Sequence, residues 1–254
     1  VTRQKYLTAS EKGPWANSYD RWRNDNLTNR YQGVQFGYTS AGRYTSWNDI
    51  WNYYGFKERD VLPGDYKYED WNGDGEINGQ DEHPFAFDQT PWLQFSLNAG
   101  LQWKNFDFNM LLQGSALGSM EYKEPLHEIW GKNGGGALTQ FLDRWHPVDP
   151  KADPYDPSTV WTSGHYAYTG RWAKNNSAFN RVSTAYLRLK SIELGYTFPK
   201  LKQIPNASLR VYANAYNLLT FTGVKFVDPE HPDDDLGRMY PLNKTYTLGV
   251  SLSF

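Results

Sequence analysis

The sequence predicts an all-β fold, the C-terminal strands of a large antiparallel transmembrane β-barrel carrying long extracellular loops. Three observations predict it. Tyr246, Leu248, Val250, Leu252 and Phe254 alternate without a break against Thr247, Gly249, Ser251 and Ser253, the period-two pattern of a strand with one apolar face. A second pair of alternating runs, 93–103 and 106–112, is separated by only two residues. Finally, short and long connections take turns along the second half of the chain, as in outer-membrane barrels with tight turns at one rim and large loops at the other.

Composition narrows the alternatives. The chain has 254 residues, and aromatics make up 17% of them, including 11 Trp and 19 Tyr. That surplus suits membrane-interface girdles or surfaces that stack on flat ligands. A mean hydropathy of -0.76 and the lack of any long apolar run exclude a membrane-spanning helix, which needs about 20 apolar residues. Barrel strands, short and half polar, remain allowed. A net charge of -2 gives no support to nucleic-acid binding, which calls for a basic patch. With no cysteine, disulfides and thiol chemistry are excluded. The opening residues are polar and carry no signal-peptide pattern, so the numbering is expected to start inside a larger or processed protein.

In chain order, residues 1–60 are polar and aromatic with weak periodicity. Within them 46–54 reads as a short helix, capped by Asn48 or Asp49, with Ile50, Trp51 and Tyr54 sharing a face. Pro63-Gly64 signals a turn. In the run 93–112, a two-residue hairpin at Lys104-Asn105 sets Trp103 opposite Phe106, Leu101 opposite Phe108 and Ala99 opposite Met110. The apolar residues so paired then fall on one surface. Residues 114–184 are too long for a hairpin loop and are expected to be a structured, functional excursion. The next strand, 186–198, places Ile192, Leu194, Tyr196 and Phe198 on one face. Leu187 and Leu189 have the opposite parity, which calls for a bulge near Lys190-Ser191 or for the upper part leaving the membrane. After a short turn, Leu209, Val211, Ala213 and Ala215 alternate with polar residues. A second polar excursion, 222–243, precedes the final strand.

Gln94, Asn98, Gln102, Asn109, Gln113, Arg210, Tyr212, Asn214 and Tyr216 fall on the polar side and are candidates to line a wet lumen. If the final strand runs inward to the periplasm, the strand beginning at Leu93 does too, and residues 1–92 lie outside the cell. Five strands cannot close a barrel, and open edges are not tolerated in lipid. The rest of the barrel is expected elsewhere in the protein or on another chain.

Several ordered stretches resemble the C-terminal part of the SusC/RagA-type TonB-dependent outer-membrane transporters of Bacteroidetes. They include Pro63-Gly64-Asp65-Tyr66-Lys67-Tyr68, the segment 70–81, Asp143-Arg144-Trp145, Tyr186-Leu187-Arg188-Leu189-Lys190, Leu194-Gly195-Tyr196-Thr197-Phe198-Pro199, Leu209-Arg210-Val211-Tyr212 and the run from Tyr246 to Phe254. The resemblance covers roughly residues 31–254. It implies a complete barrel of about 22 strands with a plugged lumen. It further implies a SusD-like surface lipoprotein as a lid and energy from TonB, contacted through N-terminal parts that this chain does not show.

Two kinds of site stand out. Asp70, Asn72, Asp74, Gly75, Glu76 and Asp81 occupy positions 1, 3, 5, 6, 7 and 12 of an EF-hand-like loop. Alternate oxygens ring one centre, Gly75 permits the sharp turn, and Glu76 offers its backbone carbonyl, so a structural calcium ion is expected. Asp81 stands where Glu is usual and reaches less far; a metal-free polar turn is the alternative. Trp130, Trp145, Trp161, Trp172, Tyr212 and Tyr216 are candidates to stack on substrate sugar rings, or else they pack the loop interiors. No arrangement supports catalysis: the five His are scattered and the glycine triplet 134–136 lacks the Lys-Ser/Thr of a phosphate loop. The expectation is TonB-dependent import of glycans or peptides. The rivals are a secreted carbohydrate-binding β-sandwich or glycosidase and a structural barrel component of a surface assembly.

Overall fold

The computed structural model describes residues 29–53, 61–127, 129, 137–170, 173–174, 176–199, 207–231 and 237–253. In chain order its strands are β1 (Gln35–Gly37), β2 (Ser40–Arg43), β3 (Tyr66–Tyr68), β4 (His83–Ala86), β5 (Leu93–Trp103), β6 (Phe106–Ala116), β7 (Ser119–Glu121), β8 (His146–Pro147), β9 (Trp161–Thr162), β10 (Arg181–Ser183), β11 (Tyr186–Phe198), β12 (Ser208–Thr222) and β13 (Thr245–Ser253). One short helix, α1 (Trp47–Asn52), lies between β2 and β3. The long strands form a single antiparallel sheet in the order β13-β12-β11-β6-β5. The short strands pair two by two in the connecting segments.

The expected hairpin register holds, and the other long strands extend its rows. Trp103 faces Phe106, Leu101 faces Phe108 and Ala99 faces Met110, with Lys104 taking the positive φ of 54° that tight hairpins require. Leu194 continues the row beside Phe108, then Ala213 and Leu248. The parity conflict in β11 resolves as a bulge. Leu189 faces Leu112 while Ser191 faces the adjacent Leu111, so Lys190 is the extra residue and both halves of β11 keep their apolar side chains on one surface.

That surface is uncovered. Leu97, Leu101, Trp103, Leu194, Phe221, Tyr246, Leu248 and Val250 are all more than half exposed. Among the described residues no second layer packs on them, as a soluble sandwich would demand. The buried side chains lie instead in the connecting segments. Tyr44, Ile50 and Val61 form one cluster, with Trp47 and Tyr53 against it, and Ile129, Phe141 and Tyr166 form another.

The helix corrects one expectation. Its N-cap is Ser46, whose hydroxyl accepts from the Asp49 N–H at 3.2 Å, while Asp49 reaches back to accept from the Thr45 N–H at 3.0 Å. The hydroxyl and carboxylate thus satisfy orphan donors reciprocally, which is why neither Asn48 nor Asp49 serves as the cap. Ile50 is buried, but Trp51 is 63% exposed and leans on Trp47 instead. Tyr54 lies outside the described residues.

Candidate functional site

The polar face of the sheet is built from residues that register brings side by side. Asp107, Gly195 and Tyr212 share one row, and Asn109, Glu193, Asn214 and Thr247 share the next. Arg210 reaches across, donating to Asp107 at 2.5 and 3.1 Å and to Glu193 at 2.6 Å. Its guanidinium lies over the Tyr212 ring at 4.8 Å. A Cβ on Gly195 would come within 2.5 Å of both Arg210 and Asp107, so the bare backbone there makes room for the ion pair.

A second network lies at the opposite end of β11. Arg188, only 1% exposed, binds Asp228 through two 2.8 Å hydrogen bonds and sits 3.0 Å from Glu230. Its Nε also donates to the Thr220 hydroxyl at 3.0 Å. Glu230 further accepts from Lys190 at 3.0 Å and from the Tyr186 hydroxyl at 3.0 Å. A buried guanidinium with two carboxylates is close to neutralised, whereas loss of either side would leave an expensive charge. Through these bonds the segment 224–231 is tied to the polar face of the sheet. Sequence reasoning missed this network: Arg188 and Lys190 sit in a strand, their partners lie 40 residues further on, and no local signal joins them.

The connecting segments interlock above it. Tyr38 exchanges backbone hydrogen bonds with Asn176 and Ala178. The Thr169 hydroxyl donates to buried Asp65 at 2.9 Å, and the Asn176 N–H donates to Glu121 at 2.7 Å. Arg43 donates to the carbonyls of Gly64 and His165.

The candidate aromatic residues separate into two places. Tyr212 and Tyr216 share the polar face of β12, Tyr216 being 46% exposed. Trp145 and Trp161 lie in the excursion between β6 and β11, both half-buried. Trp145 lies directly over Gly64, where a Cβ would meet its side chain at 2.4 Å, and Trp161 stands edge-on to Tyr168 at 5.3 Å. Trp130 and Trp172 lie outside the described residues.

The loop 70–81 closes on its own carboxylates. Asp70 accepts from the N–H groups of Gly73, Asp74 and Gly75 at 2.8–3.2 Å. Asp81, fully buried, accepts from Trp71, Asn72 and Asn78 at 2.8–3.3 Å. Gly73 and Gly75 take φ of 76° and 85°, the left-handed conformation that Gly75 was expected to supply. Asn72 donates to Asp74 at 2.8 Å. Burial raises the Asp81 pKa against the pull of its three N–H donors, the charge of Asp70 adding the smallest push. Among the described residues, no three His, Cys, Asp or Glu side chains stand together in metal-holding geometry.

Comparison with known proteins decides the kinship. The chain is 28% identical over 211 residues to TonB-dependent receptor P3 of Formosa agariphila, an alignment covering 77% of the chain and 19% of that receptor. It is 26% identical over 210 residues to TonB-dependent receptor SusC of Bacteroides thetaiotaomicron, covering 82% and 19%. Over most of its length the chain is similar to TonB-dependent receptors, SusC among them. It spans about a fifth of the length of these curated relatives. No family model matches it. Its fold is that of part of the barrel in the RagAB peptide transporter, with a TM-score of 0.56 at 20% identity over 87% of this chain and 22% of that one. The 'open-open' state of the RagAB peptide importer matches over 98% of this chain with a TM-score of 0.54 at 19% identity. The resemblance to SusC/RagA-type transporters and the partial-barrel fold class are thus both borne out.

Proposed function

We propose that this chain supplies five barrel strands and extracellular loops of a TonB-dependent importer in the bacterial outer membrane, passing glycans or peptides inward. The carrying observation is the five-stranded sheet with an uncovered apolar face and a charged, hydrogen-bonded opposite face. Lipid satisfies the first and an aqueous lumen the second. In this reading residues 1–92 are an extracellular loop region, 93–254 carry the strands, and loops 114–184 and 222–243 face outside the cell. The remainder of the barrel, the plug and the TonB contact lie in the rest of the whole protein. A SusD-like lipoprotein would rest on the loops, where Trp51, Val148, Tyr155 and Val160 leave 59–69% of their surface open to a partner. The work is transport rather than catalysis, in keeping with relatives that are receptors and a transporter.

Calcium belongs to the same proposal. Asp70, Asn72, Asp74 and Asp81 would hold it with the backbone carbonyl of Glu76. The ion would supply the positive charge that a buried Asp81 next to Asp70 calls for, pinning the loop rather than taking part in transport.

The test is deletion of the whole gene, with fractionation of the tagged protein and uptake assays on a panel of polysaccharides and peptides. Recovery in the outer membrane and loss of uptake of one polymer are expected. A protein soluble without detergent, or uptake undiminished for every polymer, would overturn the reading.

A further inference from the structure

Three connecting segments border an open cavity of about 590 Å³, within the size range of small-molecule sites. Its charged lining consists of Arg43, Arg181 and Lys225 against one carboxylate, Asp143. The three cations are only partly compensated. Arg43 spends its donors on two backbone carbonyls, which carry no formal charge. The Arg181 side chain is 8% exposed, stands 3.8 Å from Glu121 and donates to the Ser119 hydroxyl at 3.2 Å; Glu121 and Asp88 offset its charge, which leaves Arg43 and Lys225 against Asp143. The Lys225 ammonium makes no ion pair among the described residues. An anion entering the cavity would therefore meet an excess of positive charge, carried by Arg43 and Lys225 against Asp143.

The wall is also built for a ring. Tyr122, Tyr166, Phe179 and Phe226 line it. Phe226 holds a left-handed φ of 71° while remaining 51% exposed, a strained conformation for a bulky residue. Tyr122 enforces it: its hydroxyl donates to the Lys225 carbonyl at 2.8 Å and accepts from the Lys225 N–H at 3.0 Å. One clasp therefore presents both the cation and the aromatic face. The planar polar groups of Gln140, Asn180 and His165 stand beside the rings, suited to vicinal hydroxyls. Desolvation, then the charges of Arg43 and Lys225, lowers the His165 pKa despite Asp143.

The geometry points to a subsite for a carboxylated sugar residue, its ring against Phe226 and Tyr122 and its carboxylate met by Lys225. This rests on the importer reading and narrows its substrate class to acidic glycans. The test uses the whole transporter purified in detergent and titrated calorimetrically with tetragalacturonate, neutral maltotetraose and tetraglutamate. Tetragalacturonate should bind at least tenfold tighter than either of the others. Lys225→Gln should weaken it at least tenfold while leaving heat-modifiable migration, a sign of an intact barrel, unchanged. Phe226→Ala should weaken it too. Equal binding of maltotetraose, undiminished binding by Lys225→Gln, tighter binding of tetraglutamate, or no binding of tetragalacturonate would each overturn the assignment. Uptake of neutral glycans without uronate binding would sink the subsite and spare the importer. Uronate binding that depends on Lys225 without any uptake would do the reverse.

Discussion

Leu248→Arg and Thr247→Arg, neighbours on β13, separate the two faces of the sheet. Strand β13 has nine residues, about 30 Å at roughly 3.3 Å per residue. Tilted by about 40°, it spans a height of some 23 Å, close to the ~25 Å apolar band of outer-membrane barrels. Leu248 is one residue from the middle of the strand and 84% exposed, so its side chain meets lipid near the midplane. Arginine there costs about 2–4 kcal/mol, a shift of roughly 30- to 1,000-fold in the folding equilibrium. Thr247 faces Asn214, which donates to Glu193 at 3.4 Å; an arginine on that wet side should change stability by no more than about 0.5 kcal/mol. The assay is the fraction of the whole protein folded into phospholipid vesicles across a urea series, read by heat-modifiable migration. Were the apolar face in water, Leu248→Arg would be harmless at so exposed a position. Equal effects of the two substitutions, or a larger one for Thr247→Arg, would refute the lipid-facing assignment.

Three further outcomes are expected. Arg188→Ala strands Asp228, while Glu230 keeps Lys190 and Tyr186, and should destabilise by about 3–5 kcal/mol, with faster proteolysis across 224–231 as the local readout. If calcium fills the 70–81 loop, a hundredfold excess over its dissociation constant should add about 2.7 kcal/mol; Asp81→Asn should abolish the difference in melting temperature between calcium and chelator. Burial pushes the His127 imidazole down from its usual 6.5 to about 4, so the folded state favours the neutral ring. The resulting stability is complete above pH 6.5 and falls as pH drops from there toward 4, by about 3 kcal/mol in total. Urea denaturation at pH 7 and pH 4.5 should show the loss in the parent and a smaller one in His127→Gln.

How much of this was legible depends on range. Alternation is local, so the faces of β5, β6, β12 and β13 could be read directly, and a two-residue connection fixes register without further information. The bulge at Lys190 was legible as a conflict between Leu187 and Ile192, because one inserted residue is the cheapest way to keep both on one surface. The segments between strands were not legible. Their structure depends on pairings such as Thr169 with Asp65 and Tyr38 with Asn176, more than 100 residues apart, for which sequence spacing offers no signal. Trp145 shows the same limit: that it packs on Gly64, 81 positions earlier, has no signal in the sequence. Ser46 lost to Asn48 and Asp49 in the reading of the helix because all three are good caps, and only the position of Ile50 against Tyr44 and Val61 decides which turn comes first.

The polar face is more than a surface tolerant of water. Its two charge networks sit at opposite ends of β11, and both centre on arginine. Near the hairpin rim, Arg210 bridges β12 to carboxylates on β6 and β11, joining three adjacent strands within the sheet. Near the loop rim, Arg188 joins β11 to a segment beyond β12. The first network is closed within the sheet and gives it rigidity. The second holds a loop whose next residues, Lys225 and Phe226, line the cavity between the connecting segments. Displacement of Asp228 or Glu230 from Arg188 would therefore move a cavity wall and the lumen lining together. Lys225 and Phe226 hang a few residues from that latch, on one short stretch of chain, 224–231, that Arg188 holds against the sheet.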